Sequence, residues 1–192
     1  MPTDQSGHRP AAGPDTAGTT GAESQAPAPF WPTGPGDLLD PAALGRMSGL
    51  DFISGIAEGR LPSPPILQLM NARFIAAERG RVVIEATPEF RHYNPLGGVH
   101  GGWYGTLLDS VLACSVQTML PKGRGYTTLE FRVNILRGAT VDTGPLTAIG
   151  EIDHVGRRTG VSHARLVDAS GKLYATGSTT CLVLELPTSP PA

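Results

Sequence analysis

The stretch "NPLGGVHGGWYGTLLDSVLACSVQTML", residues 94–120, decides the fold. Gly97, Gly98, Gly101 and Gly102 crowd around His100, and the run then turns apolar until Pro121 stops it. The pattern predicts a helix from residue 101 to about 119. Tyr104, Leu107, Leu108, Val111, Leu112, Val116 and Met119 put apolar groups on nearly every face of it. A helix that is apolar all round is enclosed by the rest of its domain. Its one ionisable acid is Asp109.

Working outward, "ARFIAAERGRVVIEATP" (72–88) reads as two strands joined at Glu78-Arg79-Gly80. Asp40-Pro41 caps a helix that runs through Leu44, Met47, Leu50, Ile53 and Ile56, ending at Gly59 and Pro62. Beyond Pro121, β-rich runs cover Tyr126–Leu136, Leu146–Val155, Thr159–Val167 and, after the turn "DASGK", Leu173–Leu186. Closely spaced strands with short turns predict an antiparallel meander, not βαβ units. The expected class is α+β, with an antiparallel sheet of five to six strands wrapped around one long central helix.

Composition bounds the rest. The 192 residues fit one domain, and a net charge of −2 leaves no electrostatic footprint for nucleic acid or an anionic membrane. Residues 1–36 are rich in Pro, Gly and Ala and are expected to be a disordered tail, with Phe30 and Trp31 their only large apolar residues. The folded domain is then 37–187, with 188–192 a loose end. No apolar run reaches the ~20 residues of a membrane span, and no basic-then-apolar leader opens the chain. Cys114 and Cys181 lack metal-ligand spacing and read as small buried thiols. The histidines at 92, 100, 154 and 163 form no ligand cluster, so neither metal nor cofactor is expected, and the default compartment is the cytoplasm.

The glycines admit two readings. They supply unusual backbone angles for a tight turn, or they bare the Gly101 N–H at a helix N-terminus, where it can receive an oxyanion. His100 likewise reads as a pin for the turn or as a participant in chemistry. Asp109 is an ion-pair partner, a half-exposed surface acid or a catalytic carboxylate; an unpaired buried carboxylate is costly, which favours the last. Gly101 and Asp109 are eight residues apart, roughly 12 Å along a helix. One reacting carbonyl cannot touch both. If both act, two antiparallel helices from two subunits must pair, in a twofold dimer with two composite sites.

The pattern N-x-x-G-x-V-H-G-G, with L-x-D ending nine residues after the histidine, resembles the hotdog-fold acyl-CoA thioesterases, specifically the PaaI-like branch. The resemblance runs from about Gly49 to Leu186 through "GRLPSPP", "YTTLEFRVNILR" and "HVGRRTG". It implies that Asn94 orients substrate or water, that His100 organises the turn and that the Gly101 N–H polarises the thioester carbonyl. Asp109 becomes the nucleophile or general base, with Thr128 as its hydroxyl partner. It further implies an acyl-CoA substrate and a homodimer or a dimer of dimers. The family's usual proline after "LR" is Gly138 here, a departure confined to local strand geometry. Gly102 is a candidate substrate contact, and Trp103, Tyr104, Leu129 and Phe131 either line the acyl pocket or are plain core. Arg157 and Arg158 are either phosphate ligands for coenzyme A or an ordinary solvated turn. An α/β serine hydrolase is disfavoured by the missing G-x-S-x-G. The rival from another class is a non-hydrolytic acyl-CoA-binding hotdog protein.

Overall fold

A computed structural model describes residues 27–189. Residues 1–26 of the expected tail, and 190–192, lie outside the described residues. Residues 27–37 run along the domain: the Ser63 N–H donates to the Phe30 carbonyl (2.8 Å), Phe30 bridges Pro62, and Trp31 packs on the core.

The apolar runs pair into one antiparallel sheet. Its strands are β1 (Ala72–Glu78), β2 (Arg81–Ala86), β3 (Arg124–Ile135), β4 (Leu146–Val155), β5 (Thr159–Asp168) and β6 (Leu173–Glu185). The order across the sheet is β1-β2-β4-β5-β6-β3. The expected meander is therefore corrected at one strand. β2 takes the edge of β4, and β3 crosses over to pair with β6 along nearly its whole length. β1 and β3 become the two sheet edges.

The N-terminal helix is also corrected. It forms as α1 (Pro41–Gly45) and α2 (Gly49–Ala57), because Ser48 starts a second helix by accepting the Asp51 N–H (3.2 Å). The Gly49 N–H turns away to the Leu120 carbonyl (3.0 Å). The Asp40 cap forms as expected, accepting the Ala43 N–H at 2.8 Å. A short α3 (Pro65–Leu69) follows, begun by proline at its first turn.

The central helix α4 (Gly101–Gln117) lies across the sheet. Leu107, Leu108, Val111 and Leu112 are fully buried in the principal core with Ile84, Leu146 and Leu166. Gly150 sets its height, since a Cβ there would collide with the Val111 carbonyl. One face departs from the all-apolar expectation. Gly101, Gly102, Gly105, Thr106, Asp109 and Ser110 stay exposed or half-exposed. These residues are small or polar, and they recur at helical spacing.

Candidate active site

The loop before α4 is built by its own side chains. The Asn94 Oδ1 accepts the Leu96 N–H (2.8 Å), and its backbone N–H donates to the Gly98 carbonyl (2.8 Å). Gly97 takes φ +88°, a left-handed conformation that favours glycine. Asn94 thus shapes the turn with its carbonyl oxygen. The Val99 N–H donates to the Ala139 carbonyl (3.0 Å), tying the loop to the segment after β3.

His100 is the N-cap of α4. Its Nδ1 accepts the Gly102 N–H at 2.8 Å, so a neutral ring carries its proton on Nε2. The Trp103 N–H donates to the His100 carbonyl (3.0 Å). Gly101, first residue of the helix, has an N–H with no intrahelical acceptor. Gly101 has no side chain to shield that donor, and a Cβ added there would touch the Ile135 side chain at 3.4 Å. The Gly101 N–H and the helix dipole together favour a developing oxyanion.

Two turns on, Asp109 is half-buried and faces β3. The Thr128 hydroxyl donates to its Oδ1 at 3.2 Å. Burial pushes the Asp109 carboxyl above the ordinary carboxylate range, and the Thr128 hydrogen bond opposes that rise. No arginine or lysine pairs with it among the described residues. The neighbouring thiols are buried, and burial pushes Cys114 up to about 12 and raises Cys181 as well, away from thiolate character.

The candidate residues therefore gather in two places within one chain. Asn94, His100, Gly101, Gly102 and Trp103 meet at the start of α4, and Asp109 and Thr128 meet about 12 Å along it. Arg157 and Arg158 lie elsewhere, in the β4–β5 turn, where Arg157 borders a cavity with Met119 and Pro121 beyond the far end of α4. Trp103 is almost wholly buried, with its Nε1–H donating to the Met70 carbonyl at 3.0 Å. One edge of it borders a cavity of about 490 Å³ beside His100, Gly102 and Thr106.

Tyr104 belongs to the core, not to a substrate pocket. Its hydroxyl accepts the Ala139 N–H (2.7 Å) and donates to the Arg137 carbonyl (3.2 Å). Leu129 and Phe131 stand exposed on β3. Sequence reasoning missed His92, which is buried and holds the loop from both ring nitrogens. Its Nδ1 accepts the Glu89 N–H (2.9 Å), and its Nε2–H donates to the Leu69 carbonyl (2.9 Å). Nothing in "RHYN" distinguishes a loop-pinning histidine from an exposed one.

Known proteins share this architecture. The family model described as the thioesterase superfamily matches residues 96–175, from the glycine-rich loop into β6. The 1,4-dihydroxy-2-naphthoyl-CoA hydrolase of Listeria monocytogenes is 23% identical over 116 residues, 60% of this chain and 93% of that protein. A phenylacetic acid degradation-related protein of Ralstonia eutropha JMP134 superposes with a TM-score of 0.62 at 28% identity, covering 68% of this chain and 98% of that one. The PaaI protein of the E. coli phenylacetic acid degradation operon superposes with a TM-score of 0.59 at 21% identity, covering 65% and 88%. The fold is the hotdog fold that these proteins share, and residues 96–175 match the thioesterase superfamily.

Proposed function

We propose that the protein hydrolyses acyl-CoA thioesters at two composite sites in a twofold dimer. Each site takes the Gly101 end of one α4 and Asp109 of a second copy. The supporting observation is the uncovered face of α4. Gly101, Gly105 and Asp109 recur every fourth residue beside Ile135, Phe131 and Thr128 of the edge strand. Small residues there let a second helix approach closely, and antiparallel pairing about Gly105 sets each Gly101 opposite an Asp109.

In that arrangement the thioester carbonyl oxygen accepts the Gly101 N–H. Asp109 of the other copy, its Oδ1 held by Thr128, takes a proton from water as the water oxygen attacks the carbonyl carbon. A carboxylate desolvated by burial is a stronger base than one in water, which suits this role. The tetrahedral oxyanion forms against the Gly101 N–H. Its collapse breaks the carbon–sulfur bond and expels coenzyme A as thiolate, a leaving group good enough to need no strong acid. His100 presents Nε2–H at the same helix end, and Asn94 shapes the loop that carries it. Antiparallel pairing also carries the second copy's Arg157–Arg158 turn toward the coenzyme A end of the substrate, where guanidinium suits phosphate.

The test mixes two inactive variants. Gly101→Pro removes the N–H at a helix position that tolerates proline, and Asp109→Asn removes the base. Heterodimers should recover one working site each, measured as thiol release. Heterodimers that form and stay inactive would refute the shared site.

A further inference from the structure

We propose that the acyl pocket ends in a carboxylate-binding subsite formed by Arg91 and walled by Trp31, which selects acyl groups with a distal carboxylate. The proposal rests on the thioesterase reading of the Gly101 site. The cavity of about 490 Å³ beside His100 and Gly102 runs along Met70, Tyr93 and Trp103. These walls suit an acyl chain better than pantetheine, whose amides need regular polar partners. Arg91 is the one permanently charged side chain on that cavity.

Arg91 also borders a second cavity of about 450 Å³, across the turn of Gln68–Asn71. There the character reverses. Gln68, Asn71, Arg73 and Thr87 supply donors, and the sole carboxylate, Glu85, already engages Arg73 at 3.2 Å. Trp31, from the segment laid along the domain, closes one side. Arg91 pairs through Nε with Glu89 (2.7 Å), a partly exposed partner that borders neither cavity. An exposed pair of this kind is weak. Arg91 lines both cavities, so an acyl chain lying in the apolar one beside His100 and Gly102 has a guanidinium with further donors within reach. A carboxylate satisfies that arrangement in a way a methyl group cannot.

Octanoyl-CoA and suberyl-CoA have equal carbon counts and differ only in the distal carboxylate. The wild type should favour suberyl-CoA in kcat/KM by about tenfold or more, the size of one charge-assisted hydrogen bond. Arg91→Gln should erase most of that ratio, Arg91→Lys should retain part of it, and Trp31→Ala should lower it. Calorimetric binding of the same two esters should show the same preference and the same losses. Equal handling of the two esters by the wild type, or a ratio unmoved by Arg91→Gln, would overturn the proposal. Absence of thiol release from both esters would instead count against the hydrolytic reading, and the calorimetric ratio would then decide this proposal alone.

Discussion

The two edges of the sheet are finished differently. β1 is flanked by α2 and α3, buries Ala72 and Phe74, and carries Arg73 and Glu78. β3 has no such cover. It exposes Leu129, Phe131 and Ile135 along a strand that carries no covering element on its outer side among the described residues. An open apolar edge is an aggregation hazard unless something occupies it. The same edge holds Thr128 beside Asp109, so the exposed side of the domain is also the side of the proposed chemistry. One edge is thus flanked by helices of its own chain, and the other is where the proposed dimer would place a second copy.

That contrast can be broken in graded steps. The largest effect should come from Asp109→Asn, lowering kcat by about 10²–10⁴-fold, the range for a positioned general base. Dimerisation should survive in sedimentation. Thermal stability at neutral pH should not fall, because burial raises this acid's pKa and its charged form therefore weighs against folding as pH rises through that range. Next, Leu129→Glu with Phe131→Glu should dissociate the dimer and remove most thiol release. The matching change on the closed edge, Ala77→Glu, should leave assembly intact; equal effects at both edges would abolish the distinction.

A smaller loss is expected from His100→Ala. It deletes the N-cap bond to Gly102, worth about 1 kcal/mol in denaturant unfolding, and slackens the Gly101 donor. The smallest change should be that of Thr128→Val. In the proposed mechanism activity should rise with pH as Asp109 loses its proton, and the Thr128 hydrogen bond lowers that pKa against the rise from burial. Without it, the rising limb of kcat/KM should move to higher pH. An unmoved limb would separate Thr128 from the titration of the acid.

Much of this was legible from periodicity. The bounds of β4, the hairpin of β1 and β2 and the start of α4 follow from alternation and from glycine placement, which are local signals. The partner of β3 was not legible, because pairing with β6 or β4 depends on which edges remain free after β2 docks. The helix face was hidden for a related reason. Gly105, Thr106 and Ser110 dilute the apolar pattern only slightly, yet together they mark a surface the subunit does not cover. Thr128 was reached only through the motif's resemblance, since no sequence spacing links it to Asp109. His92 and Arg91 gave no signal, as their roles depend on loops meeting in space.

The β3–β6 crossover bears on the order of assembly. β3 ends at Ile135, but the strand that holds it in place runs from Leu173 to Glu185. As synthesis proceeds from the N-terminus, β3 must wait for nearly the whole domain before it can be seated. The Thr128–Asp109 contact is therefore among the last to close on a nascent chain, and the apolar edge takes its final form only once the fold behind it is complete.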